Sequence, residues 1–149
     1  MKVSDILRHK AASGVATGGA AVVTIAPDAP LTELLGALAE YNIGALIVVD
    51  GDTAVGIASE RDVVRRLNER GAALLSDTVA EVMTSPLLSC SAHDPVDSVA
   101  ATMTERRIRH MPVLDDGSLV GIVTIGDVVL SRTRQLEQDR SQLEQYITG

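Results

Sequence analysis

The sequence is nearly bare of aromatic residues: Tyr41 and Tyr146 are its two tyrosines, and phenylalanine and tryptophan do not occur. Its core must therefore be built from Val, Ile, Leu, Ala and Met, a set that suits buried strands packed against helices. The same scarcity removes the stacking platforms that hold single-stranded nucleic acids. Basic residues are few as well, 13 Lys and Arg against 20 Asp and Glu, for a formal charge of −7. A phosphate backbone needs a net basic surface, so nucleic acid is excluded as a principal partner. Cys90 stands alone, which forbids an internal disulfide and fits a reducing, cytoplasmic compartment. No apolar run approaches the roughly 18 residues of a membrane span. Met1-Lys2-Val3-Ser4-Asp5 does not open a signal-peptide core. No membrane association is expected.

What the chain does contain is itself, twice. A shift of 65 positions lays Gly56-Ile57-Ala58-Ser59-Glu60-Arg61-Asp62-Val63-Val64 over Gly121-Ile122-Val123-Thr124-Ile125-Gly126-Asp127-Val128-Val129. The match extends without a gap over residues 22–64 and 87–129, with Pro30/Pro95, Glu40/Glu105, Ile43/Ile108, Val48/Val113, Asp50/Asp115 and Val55/Val120 also identical. Such a repeat predicts two tandem units of one architecture. Upstream, Val3-Ser4-Asp5-Ile6-Leu7 resembles Val79-Ala80-Glu81-Val82-Met83 at a shift of 76. The first unit thus carries about eleven extra residues within residues 10–20, whose Ala-Ser-Gly-Thr composition reads as a linker. We expect a mobile loop there, or a lid over a site, since it leads straight into the first strand.

Periodicity supplies the elements. Val22-Val23-Thr24-Ile25 reads as a strand, and Leu31, Leu34, Leu35 and Leu38 mark one face of a helix. Ala45-Leu46-Ile47-Val48-Val49 and Ala54-Val55-Gly56-Ile57-Ala58 flank the turn signal Asp50-Gly51-Asp52, and a helix begins near Glu60. The second unit repeats the order with strands over residues 87–90, 111–114 and 119–124 and helices from Val96 and Ile125. The expected fold is α/β (α+β), two units of helix-strand-helix-strand-strand-helix packed as a pseudo-twofold pair. Neither unit alone has the core to fold confidently. The division expected is 1–70, 71–130, and a helical extension over 131–149.

This order, with Gly-apolar-apolar-hydroxyl-x-x-Asp in each half and Ile108-Arg109-His110-Met111-Pro112-Val113-Leu114-Asp115 in the second, resembles the cystathionine β-synthase (CBS) domain. A tandem pair is a Bateman module, and the chain looks like a stand-alone CBS-pair protein of the kind common in bacteria. The resemblance implies binding of an adenosine-containing ligand (AMP, ADP, ATP, NAD or S-adenosylmethionine) in clefts between the units, with no catalytic cofactor. It also implies homodimerisation and action on a regulated protein. One site would combine Ser59, Arg61 and Asp62 with Leu88, Arg107, Arg109, His110 and Pro112. The other would combine Thr124, Gly126 and Asp127 with Val23, Thr24, Gly44, Ala45 and Leu46. In that arrangement each aspartate accepts hydrogen bonds from both ribose hydroxyls. The hydroxyl residue and the helix-start N–H groups face a phosphate, and backbone at Val23 or Leu88 reads the adenine edge. The arginines gathered around Asp62, against Gly126, Gly44 and Ala45 around Asp127, imply the more phosphorylated ligand at the first site. The second would favour a nucleoside or monophosphate, or stay empty.

Blander readings stand beside these. Ser59-x-x-Asp62 and Thr124-x-x-Asp127 also fit helix capping boxes. Arg106, Arg107 and Arg109 fit a solvated helix end, and His110 a hydrogen-bonded, half-buried histidine. Cys90 with His93 lacks an orienting third group for nucleophilic chemistry, and His9, His93 and His110 lack metal-ligand spacing. No catalysis is expected. Val129, Leu136 and Leu143 stand seven apart, followed by Tyr146-Ile147, which suggests a C-terminal helix that meets a second chain or folds back on its own module. Two functions remain open: a nucleotide-responsive regulator, and a nucleotide-independent dimerisation or interaction scaffold.

Overall fold

A computed structural model describes residues 1–12 and 22–148. The elements run α1 (Val3–Ala12), β1 (Thr24–Ile25), α2 (Leu31–Glu40), β2 (Ala45–Asp50), β3 (Thr53–Ser59) and α3 (Glu60–Arg70). A 3-10 helix (Gly71–Ser76) leads to α4 (Val79–Val82), α5 (Val96–Arg106), β4 (His110–Asp115), β5 (Ser118–Thr124) and α6 (Ile125–Thr148). The expected tandem α/β pair is present. The expected insertion begins as the last turn of α1, and its remainder beyond Ala12 lies outside the described residues.

β1 pairs in parallel with β2, which pairs antiparallel with β3; β4 and β5 form the matching hairpin. The register slips between Val48 and Val49 in one hairpin and between Val113 and Leu114 in the other, positions equivalent under the repeat. The skipped residues are the identical Val55 and Val120. A bulge of this kind sharpens the local twist and re-aims the strand end, here toward the helix that follows.

The strand expected over residues 87–90 does not form; Cys90 alone makes a parallel bridge, to Val113. Pro112 explains the loss. The Cys90 N–H donates to Pro112 O and the Leu114 N–H donates to Cys90 O, both at 2.9 Å. The next rung needs an N–H from residue 112, which proline lacks. Ile47, its counterpart, keeps that donor, and β1 survives as two residues.

There are two cores, and each is closed from the other half of the sequence. Leu31, Leu34, Leu46 and Val48 pack with Leu74, Val79 and Val82. Val96, Met103, Met111 and Val123 pack with Val3 and Ile6 of α1. The division at residue 70 assigns α1 to the first unit, but its contacts belong to the second core. Backbone bonds repeat the exchange. The N–H groups of Val79, Ala80 and Leu31 donate to Ala29, Pro27 and Asp77, while those of Val3, Ser4 and Val96 donate to Asp94, Ala92 and Met1.

The two identical glycines make this closure possible. A β-carbon at Gly56 would stand 2.8 Å from both Met83 Sδ and the Thr84 carbonyl oxygen, and one at Gly121 would stand 2.7 Å from Leu7 Cδ2. Met83 and Leu7 are equivalent in the repeat. Gly56→Ala is expected to destabilise the fold by about 1–3 kcal/mol, because a backbone carbonyl cannot step aside. Gly121→Ala should cost less, since only the tip of a leucine must turn. Urea denaturation of both variants against wild type checks the order.

Candidate functional site

The bulged hairpins deliver Ser59 and Thr124 to the starts of α3 and α6. The Ser59 backbone N–H and hydroxyl both donate to Asp62 Oδ2 at 2.9 Å, and the Asp62 N–H returns a bond to Ser59 Oγ at 3.2 Å. Thr124 and Asp127 repeat the exchange, N–H to Oδ2 at 2.9 Å and N–H to Oγ1 at 3.1 Å. Both phrases are therefore capping boxes.

The two carboxylates differ in what else holds them. The Thr84 hydroxyl donates to Asp62 Oδ1 at 3.0 Å, while the Thr84 N–H donates to Ile57 O at 2.8 Å. At Asp127 a single ammonium takes both parts: Lys10 Nζ donates to Asp127 Oδ2 at 2.8 Å and to Ile122 O at 2.9 Å. Ile57 and Ile122 are repeat equivalents. Lys10 is thus a buried cation, its side chain 8% exposed, standing where the first half uses threonine. Asp62 is met by a neutral hydroxyl, Asp127 by a cation.

A chamber of about 470 Å³ opens in front of Asp62. Ser59, Arg61, Asp62, Arg107, Arg109 and His110 line it, as the resemblance implies, together with Gly44, Ile57, Glu60, Arg65, Thr84, Arg106 and Ile108. Leu88 and Pro112 are not in its wall: Leu88 is largely exposed and Pro112 is buried within β4. Arg61 Nη1 donates to Arg107 O at 3.0 Å, tying the start of α3 to the end of α5. Arg107 is left-handed, φ 55°, and ends α5 there. Arg65 and Thr84 were visible in the sequence only as a charged helix residue and a loop threonine. The i+4 spacing from Arg61 is the one signal that places Arg65 on the same face.

A second chamber of about 210 Å³ lies on the other side of His110, lined by Val22, Val23, Asn42, Ile43, Gly44, Ala45, His110, Ile122 and Thr124. Four of the implied residues, Val23, Gly44, Ala45 and Thr124, meet there. Thr24 is exposed on the strand edge, and Leu46 is buried in the first core. Gly126 is outside the wall, and Asp127 instead faces a cleft of about 70 Å³ with Lys10, His9, Ser131 and Arg134. Asn42, the counterpart of Arg107, shares its left-handed backbone with φ 50°.

His110 lines both chambers, and a β-carbon on Gly44 would come within 3.1 Å of its imidazole. Burial lowers its pKa below the ordinary 6.5 and Arg109 and Lys10 push the same way, while Glu60 and Asp127 oppose them. Cys90 is a buried thiol raised to about 11, by burial first and then by Asp94, and so is no activated nucleophile. Among the described residues no group of His, Cys, Asp and Glu could hold a metal ion. Among them, too, no helix is long and apolar enough to cross a membrane.

The doubled hairpin, the capping aspartates and the seam chambers define a pair of CBS domains. A CBS domain profile matches residues 19–69 and 79–132, and the chain belongs to that family. It is 31% identical over 152 residues to the mitochondrial CBS domain-containing protein CBSX3 of Arabidopsis thaliana, covering 99% of this chain and 72% of that protein. In structure it is similar to the CBS-domain containing protein ATU1752 from Agrobacterium tumefaciens, with 38% identity and a TM-score of 0.80 over 89% of this chain and 99% of that one. It is also similar to the CBS domain pair of protein MJ0100, solved in complex with 5'-methylthioadenosine and S-adenosyl-L-methionine. There the identity is 28% and the TM-score 0.75, over 91% and 98% of the two chains.

Because His110 is held neutral, its proton uptake on unfolding pulls toward the unfolded chain in acid. Its contribution is fully present above pH 6.5 and is lost as the pH falls below that value toward the lowered folded-state pKa. His110→Gln should therefore lose less stability than wild type between pH 7 and pH 5, as read from urea midpoints at each pH.

Proposed function

We propose that this CBS pair is a non-catalytic regulatory module that takes an adenine nucleotide in the chamber around Asp62 and signals by a change of conformation or assembly. The observation that carries the reading is the composition of that chamber. A helix start with a held carboxylate comes from one unit and a set of arginines from the other, so a ligand there bridges both units. A ribose hydroxyl meets Asp62, and phosphate oxygens meet guanidiniums in charge-assisted pairs. The volume of about 470 Å³ suits a small-molecule site, whereas about 210 Å³ falls below the usual lower bound of roughly 300 Å³. The second chamber therefore takes a smaller, less charged ligand, or none. The nucleosides seen with MJ0100 support the adenosine class. Among its members, the arginines favour AMP, ADP, ATP or NAD over the sulfonium of S-adenosylmethionine.

A ligand acts as a signal only if it binds two states unequally. At 100-fold its Kd it should add about 2.7 kcal/mol, which for a chain of this size raises the melting temperature by about 5–10 °C. A thermal-shift panel of AMP, ADP, ATP, NAD and S-adenosylmethionine is expected to show that rise with the phosphate-bearing ligands and lose it in Asp62→Asn. No shift with any of them would leave the scaffold reading.

The scaffold element has its own support. Residues 135–148 of α6 are exposed along their whole length, with Leu136 at 68%, Leu143 at 63%, Tyr146 at 87% and Ile147 at 81%. A helical segment of that length is marginal in water without a partner. It does not fold back on its own module, so we assign its apolar side to a second copy of the chain, with Val64, Leu67 and Val129 also uncovered on α3 and α6. Sedimentation at micromolar concentration should show a dimer that Leu136→Glu with Leu143→Glu dissociates. A monomeric wild type would end the homodimer assignment.

A further inference from the structure

We propose that Arg65 of the first unit and Arg106 of the second form a distal anion subsite that selects ligands carrying a chain of two or more phosphates. This rests on the nucleotide reading above and narrows its ligand class.

The case begins with charge. Acidic residues outnumber basic ones by seven in this chain, so carboxylates are available to its surface arginines. Arg66 pairs with Glu69, Arg70 with Asp77, Arg132 with Asp97 and Arg140 with Glu144. Among the described residues six arginines have no such partner, and five of the six line one chamber: Arg61, Arg65, Arg106, Arg107 and Arg109, the sixth being Arg134 on α6. Among the described residues none of them has a carboxylate oxygen within 4.0 Å. The two acids in the wall do not answer them. Asp62 already accepts from Ser59 and Thr84 and has no guanidinium within 4.0 Å, and Glu60 is too little for five cations.

One phosphate does not account for five guanidiniums. A phosphate monoester carries about −1.5 to −2 charge on three oxygens, which roughly two bidentate arginines satisfy. Position then separates the near from the far. Arg61 adjoins Asp62 and is bonded to the Arg107 carbonyl, which fixes the proximal end. Arg65 lies one turn further along α3 on the same face, about 5.4 Å away. Arg106 approaches from the end of α5 in the opposite unit. The displacement of Arg65 is within reach of a second or third phosphate, and Arg106 lies in the same wall beside the tethered Arg107. Both side chains are exposed, so their replacement leaves the core untouched.

Calorimetric titration of wild type, Arg65→Gln and Arg106→Gln with AMP, ATP and inorganic tripolyphosphate, without magnesium, tests the assignment. Melting of the unliganded variants verifies their folding. Wild type is expected to bind ATP at least tenfold more tightly than AMP. Each variant should lose about tenfold in ATP affinity, the scale of a hydrogen bond to a charged group, with AMP unchanged within twofold. Equal losses for AMP and ATP, or no ATP preference in wild type, would overturn the subsite. Should tripolyphosphate bind with this dependence while neither nucleotide binds, the nucleotide reading fails and the subsite stands. Failure of all three to bind ends both.

Discussion

The fold depends on an exchange: the segment leading into each repeat closes the core of the other. Val3 and Ile6 of α1 are buried among residues of the second unit, and Val79 and Val82 of α4 among residues of the first. Fully burying such a side chain is worth about 1.5–3 kcal/mol, so each half in isolation forfeits several kcal/mol and leaves its hairpin open. Three backbone bonds on each side hold the exchange in matching register. The identical Gly56 and Gly121 are a consequence of it, because the arriving segments, through Met83-Thr84 and Leu7, lie directly against the strand. Both chambers sit along the seam between halves. Anything that binds there is bound to both units at once.

On that symmetric frame the electrostatics diverge. Thr84 and Lys10 perform equivalent tasks, each satisfying a carbonyl of an equivalent isoleucine and the nearby aspartate. One does so with a neutral hydroxyl and a backbone N–H, the other with a buried ammonium. A buried ion pair must offset the desolvation of both partners, and its net worth is small. What it changes decisively is local charge. The chamber around Asp62 is left cationic by its arginines, whereas the one beyond His110 is lined mostly by Val, Ile, Ala and Gly. Gly44 serves both chambers by making room for the imidazole that divides them.

Much of this was legible in the sequence because a gapless repeat carries its own register. The hairpins, the helix starts at Glu60 and Ile125, and the pairing of Ser59 with Asp62 follow from local periodicity and turn chemistry. The missing strand before β4 was legible only in principle. Pro112 lies on the partner strand, and a lost rung shows only once the pairing is known. The destination of α1 could not be read at all: the match between residues 3–7 and 79–83 reveals equivalence, not which core each segment enters. Lys10 was hidden for the same reason. Nothing local to a lysine in a linker-like stretch announces a partner 117 positions away.

The capping of each aspartate bears directly on its capacity to accept from a ligand. An ionised carboxylate offers about four lone-pair positions. At Asp62 three are filled, by the Ser59 N–H, the Ser59 hydroxyl and the Thr84 hydroxyl. The carboxylate is thereby fixed in place before any ligand arrives, which spares an incoming hydroxyl the cost of ordering it. It is also limited to one further bond, so a ribose of the proposed ligand would meet it through a single hydroxyl unless Thr84 turned away. Asp127 accepts two bonds, from Thr124 and Lys10, and keeps more capacity to accept. Yet it faces a cleft of about 70 Å³, and the larger neighbouring chamber ends at Thr124. Acceptor capacity and access have parted between the copies. The nearly saturated aspartate has the room for a nucleotide, and the less saturated one does not.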